Sequence, residues 1–313
     1  MLSRTANNLY WLARYMERLE NLARLLEVSE RLSLLPDQTG EENANWQLAL
    51  IVSGAPPAPI PADAPDRHAQ LLHYLVADPA NPSSLLASLD QARRNGRAVR
   101  ISLTTEMWES LNTTYLGFES RWKASRRDHN LRPFLDWIRE RSAHFYGALE
   151  GTMVRDEAYC FARIGTFLER ADNTARLLDV KYHVLLPGKE GVGSWIDYFQ
   201  WTHVLRAVSA LGSYHYFYRE NPRPWKIAEL LILREEMPRS LLFCVHQVQL
   251  LLDRLAAELD GARACHRAAG KLFSRLRYSS AGEIIQDGLH EWLLDFLADN
   301  NDLAARITRD YLL

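Results

Sequence analysis

Apolar residues return along this chain at steps of three and four. Leu12, Tyr15, Leu19, Leu22 and Leu26 fall on one face of a helix, and period-two alternation is scarce. The pattern predicts an all-α fold. Beyond the N-terminal helix, it places helices at roughly 66–77, 83–99, 104–125, 131–149, 153–185, 194–218, 226–233, 239–260, 262–277 and 281–297, with a short last one at 302–312. A loop is expected over 52–66, where Pro56, Pro57, Pro59 and Pro61 forbid a continuous helix. Pro187-Gly188 and Asn221-Pro222-Arg223-Pro224 mark further breaks. The glycines between Gly188 and Gly193 suggest a phosphate loop at first sight, but no Gly-Lys-Ser/Thr ending and no strand accompany them, so a surface connection is the expectation.

The N-terminal helix has a second copy. Glu17 to Val28 and Glu169 to Val180 align at an offset of 152 residues, with eight of twelve positions identical and two more exchanging Glu for Asp. Pro82-Ser83-Ser84-Leu85-Leu86 resembles Pro238-Arg239-Ser240-Leu241-Leu242 at an offset of 156, in the same order along the chain. In both, proline is expected at the first helical position, where its missing donor costs nothing. The expected architecture is therefore an internally duplicated helical bundle, one domain over 1–313 made of repeats at about 1–150 and 151–313, with an approximate twofold relation between halves.

At about 100° per residue, Glu17, Arg18, Asn21 and Arg24 lie opposite the leucine stripe, as Glu169, Arg170, Asn173 and Arg176 lie opposite Ile164, Phe167, Ala171 and Leu178. A solvated face laced with pairs such as Glu20–Arg24 would explain one copy. Two copies with matched identities, and with Leu25/Leu177 and Val28/Val180 on the same side, point instead to a covered polar face. It would be either a seam between the halves or the wall of a ligand-binding cleft. Buried Glu–Arg pairs there would need mutual hydrogen bonds to offset desolvation.

Composition narrows the function. A formal net charge of -2 and an ordinary charged fraction of 24% argue against a nucleic-acid binder. Cys160, Cys244 and Cys265 are odd in number, widely spaced and without a Cys-x-x-Cys pair, which reads as reduced thiols in a cytoplasmic protein. Neither a secretory signal nor a membrane span is expected. No metal site is expected: Glu-x-x-His is missing, and Asp287 with His290 is an isolated pair. Cys244/His246 and Cys265/His266 stand too close in sequence to face each other as a catalytic dyad.

A secondary candidate is the basic edge of Arg93, Arg97 and Arg100, which could receive a carboxylate or phosphate. Trp108 and Asn112 could extend it, although core packing is the preferred reading of that pair.

The opening Ser3 to Arg18, the run Ala92 to Arg100, the run Glu106 to Asn112 and the second Glu169-Arg170 helix together resemble the bacterial alpha-E domain family, across nearly the whole chain. One departure is Arg94, where the family pattern more usually carries an acidic residue. Members tend to be encoded beside, or fused to, circularly permuted ATP-grasp and transglutaminase-like proteins. The resemblance implies an accessory or ligand-binding protein that works with an ATP-grasp ligase in peptide or amide-bond synthesis or modification. ATP and Mg would reside on that partner, with no cofactor in this chain and a peptide or acidic small molecule as ligand. Two alternatives are an enzyme using Glu17 or Glu169 as base with Arg18 or Arg170 stabilising an oxyanion, and a structural assembly subunit.

Overall fold

The structure, a computed structural model, describes residues 1–33, 44–61, 63–184, 195–259 and 261–313. Among them every regular element is helical, and no strand occurs. The chain divides into two compact units, Met1–Gly165 and Thr166–Leu313.

The first unit is built on α1 (Ser3–Ser33). It packs against α2 (Ala44–Val52), α4 (Leu85–Ala98) and α6 (Arg132–Thr152). Enclosure on several sides explains why α1 buries Leu12, Leu19, Leu22 and Leu26 on its apolar face, and also Leu25 and Val28 on its polar one. Between α2 and α3 (Arg67–Val76) the prolines hold the described chain out of helix. The Tyr74 hydroxyl donates to the Pro56 carbonyl at 3.1 Å and ties this loop down. A short 3₁₀ turn, Arg100–Ser102, links α4 to α5 (Thr105–Arg127), which packs on both α4 and α6.

Next comes α7 (Glu157–Val184), whose start is fixed by the Asp156 side chain accepting the Tyr159 N–H at 3.1 Å. That cap, and not residue 153, sets the helix boundary. The division between units falls inside α7, after Gly165.

The second unit continues with α8 (Trp195–Ala207), α9 (Leu211–Tyr218) and α10 (Pro224–Leu233). It is completed by α11 (Leu241–Glu258), α12 (Ala264–Tyr278), α13 (Ala281–Gln286) and α14 (Leu289–Ile307). Here α12 packs between α11 and α14, and α10 lies on α11 and α13. Buried side chains tie α7 into this unit: Asn300 donates to the Leu168 carbonyl at 3.2 Å, and Thr174 donates to the Arg239 carbonyl at 3.0 Å.

Four sequence expectations change. The helix foreseen over 194–218 is two helices, because Ser209 adopts a left-handed conformation at φ 55°. That over 281–297 is also two, split by Gly288 at φ 103°, and the expected separate helix at 302–312 is the end of α14 running into a π turn, Thr308–Leu312. Pro82 and Pro238 are not first helical residues: each follows the first residue of a turn closed by Ser84 N–H to Asn81 O (3.1 Å) or Ser240 N–H to Met237 O (2.9 Å). The serines themselves cap α4 and α11, accepting from Ala87 N–H at 3.2 Å and Phe243 N–H at 3.0 Å. The glycines from Gly188 to Gly193 lie outside the described residues, as does the Val180 side chain.

Candidate functional site

The Glu-Arg segment of α1 is not a solvated face. Glu17 is 0% exposed, and its carboxyl accepts the Tyr146 hydroxyl of α6 at 2.9 Å. One turn on, Glu20 is buried and accepts both Nε and Nη2 of Arg24, at 2.9 and 2.6 Å. Arg18 is half-buried, with its guanidinium 5.4 Å from the centre of the Tyr15 ring. Asn21 is buried beside them in sequence. Further along α1, Glu27 is held between Arg31 and the α6 residue Arg139, each at 2.7 Å.

In the second unit, Glu169 is 3% exposed, and the Asn173 amide donates to its backbone carbonyl at 2.8 Å. Arg176 binds Asp172 at 2.6 Å through Nε. Burial works against the charge of Arg176, but the Asp172 carboxylate outweighs it and the guanidinium pKa is raised. Arg170 is half-buried, 5.7 Å over the Phe167 ring. Asp179 meets Nδ1 of His290 at 2.5 Å. That contact gives His290 a structural partner on α7. Among the described residues, no cluster of three or more His, Cys, Asp or Glu side chains could hold a metal ion.

The secondary candidates fall into two stations. Arg93 Nε donates to Asn112 Oδ1 at 3.0 Å, and its guanidinium lies 4.4 Å over Tyr115, joining α4 to α5. Arg100 lies 5.7 Å over Trp108 and donates to the Leu103 carbonyl at 3.4 Å. Arg97 stands exposed between them in sequence. Trp108 and Asn112 are half-buried, so core packing does not describe them: each serves an arginine at the edge of the unit. Arg94 pairs with Asp90 at 2.8 Å, one turn earlier on the same helix.

Sequence reasoning missed a groove of about 780 Å³ in the second unit, between α12 and α14. The signal was present, since Arg263, Arg267, Lys271 and Arg275 recur every four residues, the spacing that singled out Arg93 and Arg97.

All three thiols are buried and none forms a disulfide. Cys265 does approach its neighbour, with Sγ 3.6 Å from His266 Nδ1. The imidazole is already engaged, however: Nδ1 accepts the Arg263 N–H at 2.8 Å and Nε2 faces the Leu252 carbonyl at 2.9 Å. Burial, followed by the Asp310 carboxyl, pushes the Cys265 thiol up to about 12, which keeps it protonated. At pH 8, a disulfide reagent such as DTNB is therefore expected to titrate three thiols only after unfolding. Rapid labelling of Cys265 in the folded chain would contradict this assignment.

No described helix is long and apolar enough to cross a membrane. No solved structure matches the chain. It is 24% identical over 319 residues to an uncharacterized protein of Mycobacterium bovis, and equally to uncharacterized proteins of two strains of Mycobacterium tuberculosis. Each alignment covers 94% of this chain but 35% of the relative, so the chain spans about a third of the length of the curated relatives it matches. Residues 1–312 match the family described as a predicted alpha-helical domain with a conserved ER motif, and the chain belongs to this alpha-E family.

Proposed function

We propose that this chain is an accessory, ligand-binding helical protein that works with a circularly permuted ATP-grasp ligase in the synthesis or modification of peptide or amide bonds. The observation that carries this reading over an enzyme of its own is the sealing of Glu17 and Glu169. A general base must come within hydrogen-bond reach of the proton it removes. A glutamate 0% exposed and engaged by Tyr146 suits a framework that shapes a surface better than one that meets a substrate. The length of the mycobacterial relatives also favours a module: about two thirds of each lies outside the matched region. Peptide and acidic small-molecule ligands, and ATP with Mg on the partner, follow from the family resemblance.

Internal duplication belongs to the same proposal. Its support is the recurrence of local contacts at the 152-residue offset: Arg18 over Tyr15 and Arg170 over Phe167, Arg24 on Glu20 and Arg176 on Asp172. Glu27 meets Arg139 where Asp179 meets His290.

The purified chain should consume no ATP with amino acids or peptides, and a circularly permuted ATP-grasp partner should turn over measurably faster when the chain is added. Turnover by the chain alone would replace the accessory role with the enzymatic one.

A further inference from the structure

We infer that the groove between α12 and α14 binds a compact, multiply charged anion of the phosphate class. The inference deepens the ligand-binding reading above, rests on it, and assigns it a place. The groove encloses about 780 Å³, within the range that holds small molecules. Its α12 wall carries Arg263, Arg267, Lys271 and Arg275, and its α14 wall adds Arg306 together with Asp299 and Asp302.

The charges are unequal. Asp299 neutralises Arg275 at 2.7 Å, and Asp302 neutralises Arg306 at 2.6 Å. Among the residues that line the groove, that leaves three cations in surplus. Arg263 stacks 4.1 Å over Tyr311 and donates to the Asp310 backbone carbonyl, so its charge is oriented but not cancelled by that contact. Arg267 and Lys271 are exposed and, among the described residues, have no ion-pair partner. His266, also on the lining, is engaged at both ring nitrogens as described above and adds shape to the wall.

Arg263, Arg267 and Lys271 succeed one another by single helical turns, so their backbone positions span only about 12 Å. A phosphoryl group concentrates a charge of roughly -1.5 to -2 on three oxygens. One or two such groups balance three cations within this span, and the guanidinium forks match their oxygens through charge-assisted hydrogen bonds. An acidic peptide would need three carboxylate side chains converging into the same concave space. The compact anion is the better fit.

The test is calorimetric titration of the full chain with inorganic pyrophosphate at low ionic strength. The Arg267→Gln/Lys271→Gln double variant is expected to bind about tenfold more weakly or worse, and added salt should weaken the parent's binding. Arg126→Gln, an exposed change on α5 of the first unit, should bind like the parent. Both altered groove residues are exposed, so the variants should retain the parent's helical circular dichroism. The proposal is overturned by a parent that shows no saturable binding, by an equal loss in Arg126→Gln, or by a triglutamate peptide that binds more tightly than pyrophosphate. Failure of pyrophosphate binding with partner-dependent turnover intact removes this site and leaves the accessory role standing. Loss of the partner effect with pyrophosphate binding intact does the reverse.

Discussion

Replacing Gly165 with alanine is expected to lower the unfolding free energy by about 2–3 kcal/mol, although alanine is the better helix former by about 1 kcal/mol. Gly165 lies inside α7, and a Cβ built there would sit 2.3 Å from the backbone oxygen of Tyr10 and 3.1 Å from its carbonyl carbon. Backbone of α1 cannot rotate away as a side chain can, so one helix must move. Gly96 on α4 supplies the contrast. Its added Cβ would meet Leu111 Cδ2 at 2.8 Å, with Leu103 and Leu12 no nearer than 3.5 Å. Those are ends of flexible side chains, and the helix-propensity gain offsets part of their displacement, leaving Gly96→Ala within about 1 kcal/mol of the parent. Urea unfolding of both variants reads the difference. Equal midpoints would show that the Gly165 contact relaxes without cost.

Neither glycine was legible as a contact. A lone glycine inside a helical pattern signals that something compensates its cost, but the sequence does not say which backbone approaches. Apart from α2, which has no counterpart among the expected helices, the helices themselves were legible, because apolar residues at three- and four-residue steps need only local geometry. The breaks at Ser209 and Gly288 were not, since a single left-handed residue leaves no mark on the hydrophobic period. The Glu-Arg segment is a mixed case. Residue identity in two copies pointed away from a solvated face, and the burial of Glu17 and Glu169 agrees with that. What the period could not convey is how far α2, α4 and α6 enclose α1. The same limit applies to Arg93 and Asn112, which meet across two helices at a separation no helical spacing rule reaches. The basic stripe of α12 was readable by spacing alone, yet only its groove distinguishes it from an ordinary solvated face.

Glu17→Ala is expected to cost about 3 kcal/mol, because it removes a fully buried polar side chain, opens a cavity, and deprives the Tyr146 hydroxyl of the acceptor at 2.9 Å. Tyr146→Phe removes only the donor from that pair and should cost about 1–2 kcal/mol. If the two residues act through their mutual hydrogen bond, the double variant should lose less than the sum of the single losses, by about 1 kcal/mol. Arg97→Ala, an exposed change, should fall within about 0.5 kcal/mol of the parent. Glu17→Gln then separates framework from chemistry, because it keeps the shape of the side chain while removing its capacity to act as a base. A framework residue should lose stability on this change while partner-dependent turnover, measured below the unfolding transition, persists. A Glu17→Gln protein as stable as the parent but without that turnover would place Glu17 in the reaction or its ligand, and the reading of a sealed structural glutamate would have to be abandoned.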